Sequence, residues 1–149
     1  MPAEAPSPAA DRAAAATTAD LLEGGRALHL LSAGLSAGAM AALLLAPGWR
    51  SATGPAEVLL AGLAETWLAL RVGFDARCFR RIAGTADDPG LVGFDATLRR
   101  LGLMPQDKAG RSLAPRLAGA KRLLARQGIA LLAQVGLALL AAFGGLSTP

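Results

Sequence analysis

The chain has 149 residues, 53% hydrophobic and only 17% charged, with a formal net charge of +4 and an isoelectric point near 10.6. A soluble globular domain carries about 25% charged residues, so this balance, with its apolar residues gathered in uncharged runs of Ala, Leu and Gly, argues against an ordinary soluble fold. It points to a single-domain, all-α integral membrane protein.

Residues 1–19, MPAEAPSPAADRAAAATTA, hold three prolines and no bulky apolar side chain. Such a segment cannot bury enough surface to offset its ordering entropy, so a disordered tail is expected. Asp20 and Glu23 have capping-box spacing for a short helical start that Gly24-Gly25 should interrupt. The acidic N-terminal stretch and the long apolar run after it do not fit a signal peptide.

Residues 27–46 contain no charge and are followed by Pro47-Gly48-Trp49-Arg50. Twenty residues at about 1.5 Å each match a hydrocarbon core of about 30 Å, so this is the first expected span. Trp49 falls where an interfacial aromatic belongs.

Residues 56–74 form the second expected span, interrupted by Glu57, Glu65 and Arg71. One ionised group at a helix centre costs roughly 2.5 to 3.5 kcal/mol, and each Leu, Val or Phe returns about 0.3 to 0.6. Insertion of this segment alone is close to break-even, and it needs neighbouring helices. Residues 128–146 are again uncharged and form the third span. Residues 116–127 upstream are helix-prone and free of proline, which predicts one long helix entering the bilayer.

Between the second and third spans lies a basic loop over residues 75–127. Asp87-Asp88-Pro89-Gly90 is a turn signal. Apolar residues at 91, 94, 98 and 101, with polar ones at 95, 99 and 100, predict a short amphipathic interfacial helix after it. The loop holds 11 of the chain's 15 Lys and Arg. Positive charge resists translocation, so loop and N-terminus are expected in the cytoplasm and the C-terminus in the periplasm of a bacterial-type inner membrane. The alternative has two spans, with residues 56–74 on the surface and both termini outside.

The pentapeptide VGFDA occurs at Val72–Ala76 and again at Val92–Ala96. Each copy precedes an arginine pair, which places Asp75 and Asp95 at the cytoplasmic interface, each neutralised by an arginine one turn away: Arg71 for Asp75 and Arg99 for Asp95. Arg80, Arg81, Arg99, Arg100, Lys121, Arg122 and Arg126 are the expected contacts to anionic lipid headgroups.

At 100° per residue each span has one small, weakly polar face: His29, Ser32, Ala33 and Ser36; Ala61, Gly62, Glu65, Ala69 and Gly73; Ala130, Ala133, Gln134, Ala138, Ala141 and Gly145. These faces should meet, leaving a bulky stripe of Leu59, Leu63, Trp67, Leu70 and Phe74 toward lipid. The candidate intramembrane polar residues are therefore Glu65, Gln134, Ser36 and His29. Counting inward from the window ends puts Ser36 and Glu65 roughly 14 Å deep, Gln134 a turn shallower and His29 at the edge. The expected partners of Glu65 are thus Ser36 and Gln134, not His29.

An intramembrane acid is by default a functional candidate, weighed here against a hydrogen bond that merely fixes helix register. The GxxxG at Gly34 and Gly38 is expected to pack inside the chain, with homo-oligomerisation as the other use. No P-loop, GxSxG, HExxH or paired-cysteine motif occurs. The lone Cys78 and lone His29 make no zinc site, and no catalytic residue, cofactor or metal is expected. Nucleic acid is not an expected partner, since Tyr is absent and only 4 Phe and 2 Trp accompany the basic residues. The expectation is an accessory or assembly component of a larger membrane system, contacting lipid and either a membrane-protein partner or further copies of itself. The alternative is an oligomeric small transporter or channel using Glu65 as its proton-coupling acid.

Overall fold

The computed structural model describes residues 7–84, 89–102 and 112–144, and these form helices with no strand among them. In chain order they are α1 (Pro8–Glu23), α2 (Gly25–Leu44), α3 (Trp49–Gly84), α4 (Pro89–Arg100) and α5 (Leu113–Gly144). Two stretches, Pro8–Leu44 and Leu113–Phe143, are long and apolar enough to cross a membrane. α3 is the central element and packs along α1, α2 and α5.

The expected disordered tail is corrected from Pro8 onward. Ser7 caps α1 by accepting a hydrogen bond from the Ala10 amide at 3.3 Å, and Pro8 occupies the first turn, where its missing N–H is not needed. Ala15, Thr18, Ala19 and Leu22 are buried. Small side chains order this helix by letting backbones approach, a gain that a hydropathy reading does not register. The expected helix start near Asp20 is likewise displaced to Pro8, and Gly24 does not interrupt the axis. Its φ of −56° and ψ of −26° are helical, so α1 leads almost straight into α2.

α3 starts at Trp49 rather than at residue 56, although Pro55 lies inside it. The exposed first turn satisfies two carbonyls with hydroxyls: Ser51 donates to Gly48 at 2.8 Å and Thr53 to Arg50 at 3.0 Å. At about 1.5 Å per residue, the 36 residues of α3 run roughly 54 Å and the 32 of α5 roughly 48 Å. α4 ends in a left-handed residue, Gly102 at φ 68°, which also closes the helix by donating its amide to Arg99 at 3.0 Å.

One pattern runs through all the long helices. Thr18, Gly25, Ser32 and Ala39 are buried at intervals of seven, as are Val58, Glu65, Val72 and Phe79, and Leu113, Ala120, Gln127 and Gln134. Each series has a partner series three or four residues away, such as Ala15, Leu22, His29 and Ser36, and none of these residues is exposed. This is the period of a left-handed coiled coil, here built of three strands with α3 antiparallel to the other two.

The chemistry of the seam reverses along its length. Around α1, the C-terminal half of α3 and the N-terminal half of α5, the seam is apolar: Ala15, Leu22, Val72, Ala76, Phe79, Leu113 and Ala120 form the core cluster. The exterior there carries Arg77, Arg80, Arg81, Lys121 and Arg122. Around α2, the N-terminal half of α3 and the C-terminal half of α5, the buried groups are Ser32, Glu65, Gln127 and Gln134, whereas Leu30, Leu44, Leu63, Leu132 and Leu140 are exposed. Leu140, for instance, is 71% exposed and Glu65 0%.

The expectations over residues 1–6, 85–88, 103–111 and 145–149, including the Asp87-Asp88 turn, Lys108, Arg111 and Gly145, lie outside the described residues.

Candidate functional site

The polar seam is made of two hydrogen-bonded groups stacked along the bundle. In the first, Glu65 on α3 receives His29 Nδ1 from α2 at 2.9 Å on Oε2 and the Gln127 amide from α5 at 2.7 Å on Oε1. Gln127 Nε2 also donates to the Gly25 carbonyl at 2.8 Å. In the second group, Ser32 donates to Gln134 Oε1 at 2.6 Å. Gln134 Nε2 donates in turn to Ser36 Oγ at 3.0 Å and to the Ser32 carbonyl at 3.2 Å.

The two groups exist because glycine admits them. A Cβ on Gly25 would stand 2.7 Å from Gln127 Oε1 and 3.0 Å from Val72, and a Cβ on Gly62 would meet Ser36 Oγ and, at 2.8 Å, Gln134 Nε2. Gly25, Val72 and Gln127 thus share one layer, and Ser36, Gly62 and Gln134 share another. Gln127 Oε1 is the buried side-chain oxygen left without a hydrogen bond among the described residues. Its amide cannot turn round without facing the Gly25 carbonyl with another oxygen.

All four candidate polar residues therefore reach the interior, but in a different pairing. His29, expected at the edge, is a direct partner of Glu65; Ser36 and Gln134, the expected partners, bind each other and Ser32. The depth count took the ends of the apolar windows as level marks. α3 runs uninterrupted past Phe74 to Gly84, so its window end is no physical end, and the register is off by about one turn. Gln127 was assigned to the aqueous segment and missed. Its spacing of seven from Gln134 is the signal that could have found it.

Other expectations shift in the same way. Leu63, Trp67, Leu70 and Phe74 are exposed as the stripe predicts, while Leu59 is half-buried. Ala33 and Ala133, placed on the interior faces, are exposed. The GxxxG does not pack inside the chain: a Cβ on Gly34 or Gly38 would meet nothing within 4 Å. Asp95 is buried and takes a bidentate ion pair from Arg116 of α5, at 2.8 and 2.7 Å, instead of the local neutralisation by Arg99 that its spacing predicted.

Among the arginines assigned to headgroups, Arg80 binds Asp20 at 3.1 Å and Glu23 at 2.7 Å on α1. Arg81, Arg99, Arg100, Lys121, Arg122 and Arg126 are exposed. Burial pushes the half-buried Asp75 carboxyl above its ordinary range, with Arg71 pulling it back. Burial, and then the Asp75 charge, push the Cys78 thiol up to about 11, against Arg81 and Arg77. Cys78 is thus no nucleophile near neutral pH. No group of three or more His, Cys, Asp or Glu suited to a metal ion occurs among the described residues.

Compared with protein-family models, curated proteins and solved structures, the chain matches none.

Proposed function

We propose that the protein is a three-span membrane protein of the bacterial inner-membrane type, working as a non-enzymatic accessory or assembly component of a larger membrane system. The observation that carries the membrane part is the reversal of polarity along one continuous coiled coil. Water favours the charged exterior of one end and rejects the exposed leucines of the other, which only an apolar solvent accommodates.

Two further features support the placement. Arg26, Arg71 and Arg126 are exposed on three different helices near the Gly25–Val72–Gln127 layer, where the exterior changes from charged to apolar. On α3 the exposed Trp49 and Trp67 each have an arginine over the ring, Arg50 at 5.4 Å and Arg71 at 5.3 Å. The tryptophans are eighteen helical steps apart, roughly 27 Å, near the thickness of a hydrocarbon core. In this reading the positive end, which includes the loop, is cytoplasmic.

The accessory role rests on surfaces that the chain does not use itself. The Gly34–Gly38 face is open to a close-packing helix. Glu57 is exposed inside the apolar shell, where an ionised side chain facing lipid costs roughly 2.5 to 3.5 kcal/mol, and a companion carrying a donor removes that cost. The buried polar groups, by contrast, are occupied with one another, as a register-fixing network would be. Purification in mild detergent should yield a stoichiometric companion that is lost in a Gly34→Leu, Gly38→Leu double variant. A lone monomer that complements a deletion strain would contradict the accessory role.

The second reading, an oligomeric transporter or channel, is favoured by one contact. His29 joins the buried Glu65 carboxyl to a cleft, with its side chain 37% exposed, so a titratable relay links interior and exterior. In proteoliposomes with an internal pH dye, this reading predicts a proton flux that Glu65→Gln abolishes; flux indifferent to Glu65 refutes it.

A further inference from the structure

We propose that the cleft between α2 and α3, where the exterior changes from charged to apolar, is a binding site for a single anionic phospholipid. The proposal rests on the membrane placement above. The cleft holds about 500 Å³. Arg26 and Arg77 line its charged end and His29 its inner wall, while Gly73, Leu70 and Ala69 continue it along α3 toward the apolar half of that helix. Neither Arg26 nor Arg77 has an ion-pair or hydrogen-bond partner among the described residues. Glu23, the acid on the rim, is already held by Arg80 at 2.7 Å.

Two guanidiniums beside one cleft favour an anion there, and their fork geometry suits phosphate oxygens. The apolar continuation demands the rest of the ligand. Gly73 has nothing within 4 Å of where its Cβ would stand, so the cleft is open beside Ala69 to an apolar chain. A free phosphate satisfies only the first demand; a phosphate-headed lipid satisfies both, with its head between Arg26 and Arg77 and a chain over Gly73. His29 spends Nδ1 on Glu65, so its second ring nitrogen remains for the headgroup. Through that ring, the bound lipid touches the buried Glu65 network.

The test is native mass spectrometry of the full chain released from detergent, titrated with short-chain phosphatidylglycerol, phosphatidylcholine or inorganic phosphate. Expected is one tightly held phosphatidylglycerol, preferred over phosphatidylcholine and not displaced by millimolar phosphate. Arg26→Gln with Arg77→Gln should weaken it about tenfold or more. Gly73→Leu, which fills this part of the cleft and leaves the charges intact, should weaken it too, whereas Arg50→Gln at the opposite end of α3 should not. Equal binding of the two lipids, displacement by phosphate, or an equal loss in the Arg50 variant would overturn the site. Circular dichroism of each variant shows that the helices are intact. If the protein proves monodisperse and helical without detergent, the membrane placement itself fails; if it needs detergent but shows no lipid preference, only the site fails.

Discussion

Gln127 ties α5 to both α2 and α3, because its one amide nitrogen serves the Gly25 carbonyl and Glu65 together. Replacing it with Leu leaves Glu65 Oε1 buried without its donor and removes the side-chain bond to the Gly25 carbonyl. At about 1 to 3 kcal/mol for an unmade buried hydrogen bond, and more for a charged group, Gln127→Leu should cost about 3 kcal/mol of unfolding free energy in detergent. Glu65→Gln, which keeps an acceptor for Gln127 and a group able to bond His29, should cost less than about 1.5 kcal/mol. Equal losses would mean that the charge of Glu65, and not the hydrogen-bond network, holds the helices. At Cys78 the neutral thiol is the form the fold prefers. The stability it contributes is therefore present below the unfolded thiol's pKa and is lost as pH rises toward about 11. Alkylation by a maleimide at pH 8 should be at least tenfold slower than in the denatured chain; a rate equal to that of the denatured chain would show the thiol to be free and exposed.

At the scale of the element, seam glycines and surface glycines should respond in opposite directions. Gly62→Ala forces a methyl against Ser36 and Gln134, and overpacking of this kind costs typically about 1 to 3 kcal/mol. Gly73→Ala meets nothing and should be neutral or stabilise α3 by up to about 1 kcal/mol. Thermal melts in one detergent check both, and a shared sign would refute the layer assignment. α4 depends on Asp95–Arg116, whose side chains are 9% and 14% exposed. Removing one partner of such a buried pair is costly, so Arg116→Ala should raise hydrogen exchange over residues 89–100 while leaving α2 unchanged. The helices themselves were legible wherever bulky apolar residues ran together, as at residues 27–46 and 128–146. α1 and the seam were not, because much of their seven-residue repeat on α1, α2 and α5 is written in Ala, Gly, Ser, Thr and Gln, which pack closely but have little hydropathy. The partner of Glu65 was illegible for a different reason: apolar windows mark where lipid contact ends, not where a helix ends, and only the full lengths of α3 and α5 set the register.

For the whole molecule, one coiled coil carries two solvents' worth of pattern. Its apolar seam with a charged exterior obeys the rule for proteins in water, and its polar seam with a leucine exterior obeys the rule for proteins in lipid. The change falls at one level on α2, α3 and α5, near Arg26, Arg71 and Arg126; under the proposed membrane placement, the lengths of α3 and α5 beyond it form a stalk outside the bilayer. On that placement α3, the least apolar of the three, faces lipid with its outer side over its N-terminal half. Spin labels at Leu63→Cys, Leu132→Cys, Arg80→Cys and Lys121→Cys, each in a Cys78→Ser background reconstituted in bilayers, measure this through collisions with oxygen and with a water-soluble nickel chelate. Oxygen-dominated relaxation is expected at 63 and 132 and nickel-dominated relaxation at 80 and 121; nickel-dominated relaxation at 63 would put this face of α3 in water and overturn the lipid placement.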